Sequence, residues 1–176
     1  MALSDAGDPP AQRWFTEAYA ELKRLAYSRL HSQGRVEDLD TTALVHETYL
    51  RMAERGALAS DERAVFFAYV GRVMRSVVVD HLREVRAIKR GGDVTLVTLT
   101  TGIPGVRLEE DQLLALDVAL TTLGRQLPEM AQLVEMRYFA GLSVPDIASL
   151  RGVSVRSVER DWAKARAFLQ RLLDER

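Results

Sequence analysis

The chain has 176 residues, no cysteine and a formal net charge of −1, with 47% hydrophobic and 28% charged residues. This composition is that of a globular protein, and the lack of cysteine excludes disulfides, thiolate zinc sites and cysteine nucleophiles. No apolar run approaches the roughly 18 residues of a membrane span, and residues 1–10 have no signal-peptide core, so we expect a cytoplasmic protein that does not contact a membrane.

The small net charge conceals two segments of opposite sign. Seven acidic residues against two basic ones lie between Glu37 and Glu62, whereas seven basic residues against two acidic ones lie between Arg63 and Arg90. Such segregation predicts one surface for a protein partner and another for a polyanion.

Histidines and acids give no sign of a metal or catalytic site. His31, His46 and His81 do not have metal-ligand spacing, and no recognisable catalytic arrangement of acids and histidines is present. We therefore expect no metal, no cofactor and no enzymatic activity.

The period of the apolar residues predicts three helices in the first half of the chain. They cover residues 12–31, a segment from the N-cap candidates at 40–42 to Gly56, and about 64–90. On the third helix the face opposite the apolar stripe is basic and carries Phe67, Tyr69 and His81. Aromatics beside arginines suit stacking on unpaired bases, although residues such as Phe66 and Phe67 more often belong to a hydrophobic core.

Residues 91–108 lose the helical period and are rich in Gly and Thr, which predicts an extended linker. Within it, Val94–Thr101 alternates apolar and polar residues as a short strand does. An isolated strand without a partner is unstable, so the linker is the favoured interpretation.

Helices resume at residues 109–123, 127–139, 144–150 and 155–173, and the last two predict a helix-turn-helix. Ser143 and Asp146 have the spacing of a capping box, Gly152 suits the tight turn, and Ser154 suits the cap of the second helix.

The second helix of this motif has an inner and an outer face. Val155, Val158, Trp162 and Ala165 recur at helical spacing and are predicted to pack inward, as are Ile147 and Ala148 of the first helix. The outer face is predicted to consist of Arg156, Ser157, Glu159, Arg160, Ala163 and Lys164. Arginine bonds guanine edges and glutamate accepts from cytosine, which suits the major groove, while the alternative is a charged face in solvent.

The order of an acidic helix, an aromatic and basic helix ending in Val79-Asp80-His81-Leu82-Arg83, a linker and a terminal helix-turn-helix resembles the extracytoplasmic-function sigma factors. Two segments, 42–50 (TALVHETYL) and 157–166 (SVERDWAKAR), look like the branch found near serine/threonine kinases. The resemblance implies an all-α fold with two small helical domains joined by a flexible linker. It divides the chain into a region 2 domain at 11–90, the linker at 91–108 and a region 4 domain at 109–175.

The resemblance also implies partners and roles. The partners are core RNA polymerase, through its beta-prime clamp helices and beta flap, and promoter DNA. The clamp helices would bind Leu44, Val45, Glu47, Leu50 and Arg51. The minus-ten element would be captured by Phe66, Tyr69, Arg72, Arg75 and Arg83. The minus-thirty-five element would be read by Arg156, Ser157, Glu159, Arg160 and Lys164.

One position departs from the family pattern. Typical members carry an acidic cluster at the start of the polymerase-binding helix, whereas residues 40–43 (DTTA) supply one carboxylate. Our hypothesis is that phosphorylation of Thr42, or secondarily Thr41, restores the affinity for the basic clamp helices. A phosphate would add about −1.5 to −2 charge, and a helix N-terminus stabilises such a charge. The alternative is that both threonines are ordinary caps.

Two rival functions are less favoured than a sigma factor, because the basic and recognition faces are intact and no dimer interface is evident, and the sequence does not identify the source of control. A sigma-like decoy would bind an anti-sigma factor or polymerase without activating a promoter. A helix-turn-helix repressor would need a dimer interface, and no heptad zipper is present. The source of control, a kinase, an anti-sigma factor or the linker, also stays open.

Overall fold

The computed structural model describes residues 13, 16, 19, 41–54, 62–88, 99–100, 107–108 and 110–174. These residues form six complete helices and one pair of short strands, so the all-α prediction is confirmed. The elements in chain order are α1 (Thr41–Glu54), α2 (Arg63–Ile88), β1 (Leu99–Thr100), β2 (Arg107–Leu108), α3 (Glu110–Gln126), α4 (Pro128–Tyr138), α5 (Val144–Arg151) and α6 (Val155–Asp174).

The predicted N-terminal helix, residues 12–31, lies outside the described residues except at three positions. Arg13, Thr16 and Tyr19 are helical and exposed. None of the described helices is long and apolar enough to cross a lipid bilayer.

The short strands are an antiparallel pair in which Leu99 lies opposite Leu108 and Thr100 lies opposite Arg107. The sequence shows no evident partner for a strand near residue 100, which is why the linker is the favoured prediction there. The partner comes from the same predicted linker, where Arg107 and Leu108 form β2.

The hydrophobic core is continuous across the two halves of the chain. Three residues of the apolar stripe of α2, Phe66, Val70 and Val77, are at most 3% exposed. Leu120 of α3 and Leu133 of α4 belong to the same cluster of buried side chains. Burial of this apolar surface provides the main driving force for packing the helices together.

Helices α2 and α4 approach each other closely where they cross at Gly71. A Cβ atom at Gly71 would lie 2.7 Å from the carbonyl carbon of Glu135 and 2.9 Å from the amide nitrogen of Met136. Real Cβ atoms do not approach backbone so closely, so only glycine allows the two helices to meet at this distance.

Candidate nucleic-acid interface

Local capping interactions build the helix-turn-helix from α5 and α6. The Ser143 hydroxyl accepts a hydrogen bond from the Asp146 amide at 3.2 Å, and the Ser143 amide donates to Asp146 Oδ2 at 3.0 Å, forming the predicted capping box. Gly152 ends α5 in the left-handed region at φ 63°. The Ser157 amide then donates to Ser154 Oγ at 3.1 Å, which caps the start of α6 as predicted.

The inner face of α6 packs against the core through Val158, Trp162, Ala165 and Leu169, none more than 9% exposed. The prediction that Val155 also packs inward is wrong, since Val155 is 42% exposed. Val155 is the first residue of α6 and follows the turn directly, so the stripe acquires buried neighbours only one turn later.

Trp162 fixes the orientation of α6 relative to α4. Its ring lies 5.6 Å from the Tyr138 ring, and the Arg137 guanidinium carbon lies 4.8 Å from the Trp162 centroid in a cation–π arrangement. Burial lowers the pKa of Arg137 and raises that of Tyr138. This contact holds the opposite face of α6 toward solvent.

Four of the five residues predicted to read the minus-thirty-five element are exposed on that outer face: Arg156, Glu159, Arg160 and Lys164. Ser157 is half-buried, and its hydroxyl lies 2.9 Å from that of Ser154. Arg160 and Lys164 approach Asp161 at only 3.6 and 3.8 Å, on side chains that are 65% and 57% exposed. Exposed pairs of this length contribute little stability, so both cations can turn toward a ligand.

The residues predicted for the minus-ten element lie in three different environments. Phe66 is 1% exposed and packs edge to face on Phe67, so the prediction of a direct base contact by Phe66 is corrected: its ring belongs to the core. Tyr69 and Arg72 line a cleft of about 720 Å³ between α2 and the helix-turn-helix, and Arg160 lines its other side. This cleft brings residues of the two predicted DNA surfaces together.

Arg75 and Arg83 are held by acidic groups from the second half of the chain. Arg75 is 11% exposed and donates to Glu135 Oε1 at 2.8 Å and to Asp117 Oδ1 at 2.9 Å. Arg83 donates to Asp117 Oδ2 at 3.1 Å and remains 59% exposed. In this arrangement only part of the predicted minus-ten surface is open to a ligand.

The residues predicted to bind polymerase also divide between core and surface. Leu44 and Val45 are 4% and 0% exposed, so their predicted direct contact is corrected: they face the core because α1 packs this side on α2. Leu50 is 42% exposed. Arg51 donates to Glu47 at 2.8 Å and to Asp80 at 2.6 Å. Partial burial acts to lower the pKa of Arg51, but the two carboxylates outweigh burial, so the net effect is a raised pKa.

Asp117 and Glu135 were missed by sequence reasoning. Glu135 lies between buried Val134 and Met136 in α4 and is 3% exposed itself. A charged residue is almost never fully buried without a partner. The position of Glu135 inside an apolar run was therefore a signal that it has an ion-pair partner. Within the described ranges no three His, Asp or Glu side chains come together as a metal site would require.

The described helices and the capped helix-turn-helix place the chain in the class of all-helical proteins with a DNA-binding type of fold. The family model of the ECF sigma factors matches residues 1–175, so the chain belongs to this family, whose members bind RNA polymerase in transcription initiation. One solved structure is similar at 19% identity and a TM-score of 0.36, covering 93% of this chain and 96% of the other: the sigma factor RpoE in complex with the anti-sigma factor NepR from Bartonella quintana. No curated protein sequence matched.

Proposed function

We propose that this chain directs core RNA polymerase to a specific class of promoters. The observation that carries the proposal is the division of α6 into a buried stripe and an exposed polar face that begins at the turn. Recognition helices place their N-terminal residues at base edges, and Arg156, Glu159 and Arg160 occupy that position. These residues, with Ser157 and Lys164, read the minus-thirty-five element.

The proposal assigns the other half of the chain to polymerase and the minus-ten element. Leu50, which is exposed, and Glu47 and Arg51, which are half-buried, form the side of α1 that binds the beta-prime clamp helices, and the residues from 109 onward bind the beta flap. Tyr69, Arg72, Arg75 and Arg83 form the minus-ten surface of α2. The domains are 11–90 and 109–175, connected by the linker 91–108.

Reconstituted transcription tests this proposal. Purified chain and core polymerase are incubated with genomic fragments of the source organism, and transcript starts are mapped. Replacing both Arg156 and Arg160 by Ala should weaken use of the selected promoters by roughly 5- to 150-fold for each bidentate arginine–base pair that is removed, at about 1–3 kcal/mol each.

Arg171→Ala is the matched control for those substitutions. It removes an exposed arginine from the same helix, 11 residues beyond Arg160 and therefore about 16 Å along the axis. Promoter use should be unchanged in this variant. Stable polymerase binding without any promoter-specific transcript would instead identify the sigma-like decoy.

A finer part of the proposal is control by a kinase, as in the kinase-associated branch. Helix α1 begins at Thr41 and has no acidic residue in its first turn. A phosphate on Thr42, or secondarily Thr41, would be stabilised at this helix N-terminus and would supply the negative charge that basic clamp helices attract. An anti-sigma factor is the other candidate regulator.

Polymerase pull-down tests the phosphorylation hypothesis. Thr42→Asp and kinase-treated protein should retain more core enzyme than wild type, whereas Thr122→Asp, which adds the same charge on α3, should not. Equal retention by wild type, Thr42→Asp, Thr42→Ala and kinase-treated protein would eliminate the switch.

A further inference from the structure

Val155 is a branched apolar side chain that stays open to solvent at the start of α6. It is the first residue of the helix and is 42% exposed, whereas Val158, about one turn later, is 2% exposed. A single exposed valine is common on protein surfaces. The significance of Val155 therefore depends on what lies beside it.

The neighbours of Val155 on α6 are residues assigned to base contact. Arg156 follows it directly, and Glu159 lies one turn further along the same side of the helix. Side chains four residues apart have their Cβ atoms roughly 5–6 Å apart. Helical side chains also tilt toward the N-terminus, so Val155 projects toward the turn, which is the end that a recognition helix inserts into the major groove.

The turn before α6 leaves room for DNA to approach Val155. A Cβ atom added at Gly152 would meet no heavy atom of the described residues within 4 Å. Two exposed valines flank the cap residue Ser154, and they have different surroundings. Val153 is 46% exposed and lines the cleft between α2 and the helix-turn-helix, whereas Val155 does not line that cleft. Val155 is thus the valine that borders the outer face of α6.

The chemistry of a valine side chain restricts what it can recognise in the major groove. Valine has no hydrogen-bonding group, so against a polar base edge it would displace water without replacing the lost hydrogen bond. The C5 methyl of thymine is the apolar group that the base pairs present in this groove. Thymine is therefore the base that Val155 fits.

We propose that Val155 selects a thymine in the minus-thirty-five element by packing on its C5 methyl group. Bases of one strand are about 3.4 Å apart along the axis, so the Cβ spacing of roughly 5–6 Å places this thymine one or two base pairs from the base that Glu159 contacts. The inference rests on the proposed function, in which α6 reads the minus-thirty-five element. It adds one base to the sequence that this helix specifies.

Replacing thymine by uracil tests the inference without changing base pairing, because deoxyuridine lacks only the C5 methyl of thymidine. A promoter is first mapped with the full chain and core polymerase. Each thymine of its minus-thirty-five element is then replaced in turn by deoxyuridine, and the promoter-specific transcript is measured. With the wild-type chain, one of these replacements should lower promoter use about fourfold, which corresponds to one buried methyl contact.

Variants at position 155 assign that loss to the valine. Val155→Ala should lower use of the unmodified promoter by a similar factor and should not respond to deoxyuridine, because the contact is already absent. Val155→Thr keeps one methyl and the shape of valine, so it should retain part of the response. The matched control, Val153→Ala, truncates a similarly exposed valine two residues away and should respond as wild type does.

The outcomes separate the inference from the proposed function. If no replacement has an effect, or if Val155→Ala responds as wild type does, thymine selection by Val155 is wrong. Loss of promoter use on replacing Arg156 and Arg160 would in that case still support reading by α6. If the wild-type chain yields no promoter-specific transcript, both the inference and the proposed function fail.

Val155→Ala should keep the wild-type circular dichroism spectrum, because Val155 is exposed. If it does not, Val155→Thr alone must show the reduced response to deoxyuridine. A full response in Val155→Thr would then overturn the inference.

Discussion

Replacing Gly71 by Ala is expected to destabilise the protein, although alanine is the better helix former. The added Cβ would lie 2.7 Å from the Glu135 carbonyl carbon, and ordinary contact begins at 3.4 Å, so α2 and α4 must separate by about 0.7 Å. Overpacking costs about 1–3 kcal/mol. We expect the upper half of that range, because the atoms that the new Cβ would meet are backbone atoms, which cannot rotate away as a side chain can. Helix propensity returns about 1 kcal/mol, which leaves a net loss of about 1–2 kcal/mol.

Urea denaturation followed by far-ultraviolet circular dichroism measures this loss, with Gly124→Ala as the control. Gly124 is also helical, but its added Cβ would meet only the Ala131 Cβ at 3.6 Å, an ordinary contact. That control should gain up to about 1 kcal/mol. A Gly71→Ala protein as stable as wild type would refute the inference that the crossing of α2 and α4 requires glycine.

The helix caps and the buried carboxyl group give three further predictions. Ser143→Ala removes the capping box and should lower the free energy of unfolding by about 1 kcal/mol, measured by urea denaturation; an unchanged midpoint would contradict the cap. Gly152→Ala places a Cβ in open space but at φ 63°, so a loss of about 1–2 kcal/mol from strain alone is expected, and Gly152→Asn should lose less. Because burial raises the pKa of Glu135 above its unfolded value, folding takes up a proton between those two pKa values. Lowering the pH through that window should therefore stabilise wild type relative to Glu135→Gln, and parallel pH profiles of the two proteins would disprove it.

Local periodicity predicted the six helices to within a few residues at each end, together with the capping box and the αL glycine. These features depend on residues close in sequence, such as Ser143 with Asp146. Val155 was assigned to the buried face because helical spacing identifies one side of a helix. It does not show at which residue the neighbouring helices cease to cover that side.

The contacts between the two halves were not predictable in the same way. Arg75 meets Asp117 and Glu135 across 42 and 60 residues of chain, and no spacing rule connects such positions. The burial of Leu44, Val45 and Phe66 was partly foreseeable, since each also fits an apolar helical stripe. Residue type therefore identified the chemistry, whereas tertiary packing decided which side chains remain available.

The β1–β2 pair limits how far the two halves can move apart. From Ile88 to Glu110 there are 22 chain steps, enough to span about 75 Å when fully stretched. When Leu99 is paired with Leu108, the nine steps between them no longer add to the distance from Ile88 to Glu110. The maximum span then falls to about 50 Å. Breaking two residue pairs thus releases about 25 Å of chain, so this pairing sets the greatest possible distance between the end of α2 and the start of α3.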